Sequence, residues 1–210
     1  MARADRPSRA RLEELQKQQR AKERRTRIIW VGATTVVVLA IVGVVGFVVA
    51  RDVSTRPTLD AVQTYEVGAG HVTTPVTYEQ SPPVGGEHNP VWLNCGVYDA
   101  PVPNELAVHA LEHGAVWVTY RPDTPKAQVD AMVADLPDEY MVVSPYDDLP
   151  APAVASAWGH QLMLDGVDDP RLAEFVREYR QGPQTPEPGA ACTGGSDGTT
   201  NLPETQTPAP

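Results

Sequence analysis

The chain has 210 residues, with 27 acidic against 17 basic side chains and a net charge of −10. The charge is divided: residues 1–27 carry ten Lys or Arg against four acids, whereas residues 51–210 carry seven against 23. A basic block confined to one end, beside an apolar run, excludes a nucleic-acid partner as the simplest reading and points to a membrane surface.

In chain order, residues 1–27 form a basic tail and residues 28–50 run 23 residues without a charge, rich in Val, Ile, Leu, Ala and Gly. As a helix this run reaches about 34 Å, enough to cross a bilayer with some tilt. Trp30 falls at its inner edge, where an indole ring favours the interface. The concentration of Lys and Arg before the run predicts a cytoplasmic N-terminus and an extracytoplasmic C-terminal part. The apolar stretch is longer than that of a cleavable signal peptide, and Val48-Val49-Ala50 is a poor cleavage site, so an uncleaved signal anchor is expected. Lipid contacts are expected through residues 28–50 and the basic tail.

Residues 51–59 read as a polar stalk, 60–181 as one small domain, and 182–210, rich in Pro, Gly and Thr, as a mostly disordered tail. The stretch 60–103 is rich in proline and predicts ordered loop with a short strand near Val76–Tyr78. Asn104 is positioned to cap a short helix through His113 that Gly114 stops. Ala115–Tyr120 reads as a strand. Thr124-Pro125 then predicts a cap and first turn for a helix whose stripe is Val129, Met132, Val133 and Leu136. Tyr140–Ser144 reads as a second strand, and Ala153–Leu164 contains a third. Asp169-Pro170 opens a last helix with Leu172, Phe175, Val176 and Tyr179 on one face. The expected class is α+β: a transmembrane helix, then a small two-layer sandwich of helices on a sheet of three or more strands. The first two strands and their helix are expected to form a crossover unit.

Cys95 and Cys192 are the two cysteines, and outside the membrane an even pair predicts a disulfide. The competing reading keeps Cys95 as a thiolate metal ligand. The histidines at 71, 88, 109, 113 and 160 all follow the apolar run. His109-Ala-Leu-Glu112-His113 sets two imidazoles one helical turn apart, able to reach one ion, with Glu112 beside them. The string H-x-x-E-H also matches a zinc-protease signature in which the glutamate is the base, making Glu112 a weak catalytic candidate. Its bland counterpart is a solvated helix edge whose His and Glu bond to one another or to the proline-rich loop. The expected ligands are His88, His109 and His113, with Glu112 hydrogen-bonded to a ligand imidazole and orienting it. His71 reads equally well as an exposed loop residue, and His160 as a half-buried strand residue in register with Val154, Trp158 and Leu162. Trp92, Trp117 and Trp158 read as packing residues. Imidazole donors suit zinc or copper: copper if Cys95 is reduced, zinc if the cysteines are bridged and a carboxylate completes the site.

The runs Ser81-Pro-Pro-Val-Gly-Gly-Glu-His88, Cys95-Gly-Val-Tyr98 with Pro101-Val102, and Ala107-Val-His-Ala-Leu-Glu-His-Gly-Ala-Val-Trp-Val-Thr-Tyr120 resemble the DUF3105 family. Ser144-Pro-Tyr146, Ala157-Trp-Gly159 and Gly182-Pro-Gln-Thr-Pro-Glu-Pro-Gly-Ala-Ala-Cys192 extend the resemblance over residues 60–193. Gly85-Gly86 departs from the Ser-Gly type of pair expected there. The resemblance implies a protein anchored in a bacterial plasma membrane and brings no established site residues. The expected function is therefore an extracytoplasmic domain of uncharacterised role that binds zinc or copper. The alternatives are a metal-free module that binds another envelope protein, and a small metal-dependent hydrolase.

Overall fold

The computed structural model describes residues 9–199, in two units divided at Arg56–Pro57. The first holds one helix, α1 (Arg9–Thr55), long and apolar enough over its C-terminal half to cross a membrane. It continues past both ends of the apolar run, through much of the basic tail and into the stretch read as a stalk. Its polar side chains within the run close on the helix itself. The Thr34 hydroxyl donates to Trp30 O at 2.9 Å and that of Thr35 to Val31 O at 2.8 Å, which is how hydroxyls are tolerated where no water reaches them.

The second unit is built on a six-stranded mixed sheet. Its members are β1 (Gln63–Thr64), β4 (Gly96–Val97), β5 (Val116–Tyr120), β6 (Met141–Pro145), β7 (Ala153–Ala157) and β8 (His160–Leu164), in the order β1-β8-β7-β5-β6-β4. A separate parallel pair joins β2 (Ala69–His71) to β3 (Gly86–His88). The helices are α2 (Asn104–Glu112), α3 (Lys126–Asp135) and α4 (Arg171–Tyr179). Strands β5 and β6 are parallel neighbours joined through α3, the expected crossover unit.

The expected helices packed on a sheet are present, in three layers instead of two, because the sheet is covered on both faces. Val116, Val118, Met141, Val143 and Leu162 pack with Val129 and Met132 of α3 and with Leu172, Phe175 and Val176 of α4. The alternate residues Trp117 and Val142 face the other way, onto Leu106, Ala107, Ala110 and Leu111 of α2. Double coverage is why β5, β6 and β7 are buried at every position and read as continuous apolar runs. The polar exceptions are satisfied internally. Trp117 Nε1 donates to Ser144 Oγ at 3.0 Å, and Gln161 Nε2 donates to Pro82 O at 2.8 Å.

Several local expectations are corrected. Residues 76–78 form no strand; the proline-rich stretch instead contributes β1 to β4. Ala153–Leu164 is a hairpin of two strands, turned by Trp158-Gly159, so His160 begins a new strand instead of continuing the register of Val154. Gly159 has φ +67°, and a side chain there would press on Tyr65 O. Asn104 does not cap α2, and Thr124 does not cap α3; each helix starts after a proline with no side-chain cap. At α4 the expected opening holds: Asp169 Oδ1 accepts from Arg171 N at 2.9 Å.

Residues 182–199 carry no helix or strand, as their composition predicts, and they are nonetheless bound to the domain. Cys192 is bridged to Cys95, with Cα atoms 5.3 Å apart. Cys95 N donates to Cys192 O at 2.7 Å, and Asn94 N to Ser196 O at 2.8 Å. The remainder of the expected tail, 200–210, lies outside the described residues, as do residues 1–8 of the basic end.

Candidate metal centre

Four pieces of chain meet at the C-terminal half of α2. The β2/β3 register pairs His71 with His88. The loop after β3 is tied to α2, with Asn89 N donating to Glu105 O at 3.3 Å and Leu93 N to Leu106 O at 2.9 Å. Gly114, at φ +93°, ends α2 and lets residues 181–198 return across its end. A side chain at 114 would collide with that of Gln181, which donates to His113 O. The helix edge carrying His109, Glu112 and His113 is therefore covered: these side chains are buried instead of solvated, although the bonds to one another and to the proline-rich stretch that the bland alternative called for are present.

His71, His88, His109 and Glu112 each offer a donor atom, all within 4.8 Å of one another. Glu112 Oε2 lies 2.9 Å from His88 Nε2 and 3.5 Å from His71 Nε2. His109 Nε2 faces His113 Nε2 at 3.0 Å. His88 is completely buried, while the His71 side chain is 48% exposed. Trp158 lies edge-on to His88, and Trp92 lies beside His109 and His113, so two of the tryptophans read as packing residues also wall the cluster.

Backbone carbonyls decide the tautomers. His88 Nδ1 donates to Gly86 O at 2.8 Å, His109 Nδ1 to Asn89 O at 2.6 Å and His113 Nδ1 to Ala191 O at 2.6 Å. A carbonyl can accept and cannot donate, so each neutral ring spends its proton there and turns the Nε2 lone pair inward. Two contacts are then left without a hydrogen: His88 Nε2 against the Glu112 carboxylate, and His109 Nε2 against His113 Nε2. Each needs a cation, either an added proton or a metal ion. Burial opposes the proton on His109. The Asn89 carbonyl works the other way, and charge on His113, His88 and His71 adds to the lowering, leaving the His109 pKa at about 4.

The remaining sequence candidates fall elsewhere. Cys95 is in the disulfide, so the thiolate-ligand alternative is closed. His160 Nδ1 donates to Trp158 O at 2.9 Å and its ring packs on Tyr179, outside the group. Glu112 lies inside the group, between His88 and His71, instead of behind a pair of histidine ligands. The cluster's unexpected members are His71, placed by a two-stranded pairing, and Glu187, whose Oε2 is 3.7 Å from His113 Nε2.

No curated protein and no solved structure is similar to this chain. The model of the family described as "Protein of unknown function (DUF3105)" matches residues 71–194, a segment that opens on His71 and closes just past Cys192. That match spans more than half of the sequence, and the chain belongs to the DUF3105 family.

Proposed function

We propose that this protein is a single-pass, membrane-anchored extracytoplasmic module that binds a zinc ion through His71, His88, His109 and Glu112. The observation that supports it most directly is the convergence of donor atoms from His71, His88, His109 and Glu112 within 4.8 Å of one another, with the His88 and His109 rings held from behind by the carbonyls of Gly86 and Asn89. Anchoring the far nitrogen of each ring in this way is how proteins orient metal-binding histidines. In a tetrahedral site with bonds of about 2.0–2.1 Å, neighbouring donors lie about 3.4 Å apart. The His88–Glu112 and His71–Glu112 separations, 2.9 and 3.5 Å, bracket that value. Three imidazoles and a carboxylate, with both cysteines bridged, favour zinc over copper.

On this reading two of the roles expected from sequence are exchanged: Glu112 is a ligand, and His113 stands one step outside. With Glu112 engaged as a ligand, it is not free to act as the base of the zinc-protease signature, and a binding role is the better reading. The compartment rests on the basic residues before the apolar helix and on the disulfide, which persists in an oxidising environment.

The test is elemental analysis of the detergent-solubilised full chain, purified without added metal. Calorimetric titration of Zn²⁺ and Cu²⁺ into chelator-stripped protein follows. One zinc per chain, bound more tightly than copper relative to free imidazole, is the expected result; no metal at purification and no heat with either ion would refute the reading. A reporter fused after Pro210 that is active only in the cytoplasm would refute the orientation.

A further inference from the structure

The metal reading leaves His113 and Glu187 unused, although both are aimed at the cluster. His113 Nε2 is 3.0 Å from His109 Nε2 and 3.7 Å from Glu187 Oε2. The Glu187 side chain is 55% exposed, whereas that of His113 is 6% exposed. Together they lead from solvent to the buried ligands. Neither is placed by chance. Glu187 N donates to Glu112 O at 3.1 Å and Ala190 N to Glu187 O at 3.2 Å, closing a turn over the end of α2. Tyr140 OH donates to Ala190 O at 3.0 Å, and Cys192 is pinned by its disulfide.

We infer that His113 and Glu187 form an outer metal position, shared through His109, from which a divalent cation is handed to the inner ligands. The inference rests on the metal reading of His71, His88, His109 and Glu112. His109 is the pivot because it has a single lone pair to give. Its Nδ1 proton is committed to Asn89 O, so Nε2 can hold an ion in the outer position or in the inner one, never in both. One ion per chain follows, although the cluster contains enough donors for two. The outer position supplies an exposed carboxylate that attracts the dication and an imidazole already oriented by Ala191 O. Movement inward exchanges His113 and Glu187 for His88, Glu112 and His71 while His109 stays bound, so the ion keeps at least one protein ligand throughout.

A position that lies on the path and is empty at rest changes the rates of arrival and departure by the same factor. A resting ligand changes mainly departure. The experiment uses the full chain in detergent, stripped with chelator and mixed rapidly with Co²⁺, whose visible absorption reports coordination by imidazole. Wild type, Glu187→Gln, His113→Ala and His71→Ala are compared, and dissociation is followed by a chelator chase. Glu187→Gln is expected to slow association about fivefold through loss of the attracting charge, with dissociation slowed in proportion. His113→Ala is expected to slow both further, and every variant that binds should take up one cobalt. Unchanged association in Glu187→Gln would overturn the inference and direct loading to the half-exposed His71. Faster dissociation with normal association in His113→Ala would overturn it by making His113 a resting ligand, and two cobalt ions per wild-type chain would overturn it by separating the sites. Wild type that binds neither Co²⁺ nor Zn²⁺ would remove the metal reading itself.

Discussion

Replacing Cys95 and Cys192 together by alanine tests how the last described stretch of chain is held. The bridge spans 97 residues of sequence with its Cα atoms 5.3 Å apart, well inside the range a disulfide accepts. Closing a loop of that length restricts the unfolded chain by about 4–5 kcal/mol in the chain-entropy treatment, and a native bridge removed from a small domain typically costs about 2–5 kcal/mol. Against a total of about 5–15 kcal/mol for a domain of ordinary stability, that loss is large. Residues 182–198 keep other attachments: Cys95 N to Cys192 O, Asn94 N to Ser196 O, and Gly195 N to Asn94 Oδ1 at 2.8 Å. The domain is therefore expected to fold without the bridge, with a lower urea midpoint and a somewhat steeper denaturant slope, because the unbridged denatured chain exposes more surface. Trp92, Trp117 and Trp158 report this transition by fluorescence, all three lying in the second unit. Because Ala191 adjoins Cys192 and orients His113, the variant is also expected to take up metal more slowly. A stability change below about 1 kcal/mol would refute the reasoning, since hydrogen bonds alone would then hold the segment and loop closure would contribute little.

Asp169 is held at a pKa of about 2 by its hydrogen bonds with Arg171, against burial, which raises it. A depressed carboxylate contributes stability above its unfolded pKa, so about 1 kcal/mol after solvent screening should be present at neutral pH and fade as pH falls from about 4 to 2. The stability difference between wild type and Asp169→Asn should shrink over that window; a gap constant from pH 7 to 2 would contradict it. Gly159→Ala should destabilise by about 1–2 kcal/mol, because φ is +67° and the new methyl meets Tyr65 O, and thermal melts that match wild type would refute this. His71→Ala should weaken zinc at least about tenfold while His160→Ala leaves affinity intact, as equilibrium titration against a competing chelator will show. Equal loss in both variants would dismiss the assigned ligand set.

The legible parts of this fold are those where side-chain periodicity meets a single buried face. The stripes of α3 and α4 and the apolar runs of β5 and β6 follow directly from residue spacing, because burial is what those residues have in common. Helix starts were less legible. Asn104 and Thr124 have the chemistry of caps, but the prolines next to them set the backbone and begin each helix without using the side chain. The hairpin within Ala153–Leu164 was hidden because Trp158-Gly159 interrupts no hydrophobic pattern; its strands are buried nearly throughout on both sides of the turn. In the proline-rich stretch, pairing is carried by two- and three-residue strands with no period to detect.

The candidate site divides along the same line. His109, Glu112 and His113 are visible because a helix places neighbours three and four residues apart on one edge, and their spacing announces the helix. His71 is invisible by the same logic: nothing local distinguishes it from a loop histidine until β2 and β3 pair and bring it level with His88. The carbonyls of Gly86, Asn89 and Ala191 carry no side-chain signature at all, yet they decide which nitrogen of each ring keeps its proton. Sequence can therefore nominate imidazoles, while the backbone around them determines whether their lone pairs converge. In this domain the convergence is paid for in irregular chain. The proline-rich stretch, at Gly86 and Asn89, and the bridged segment, at Ala191, supply the acceptors. That division accounts for a small domain giving so much of its length to ordered loop: the sheet and its helices provide rigidity, and the loops provide polar backbone that orients the clustered imidazoles.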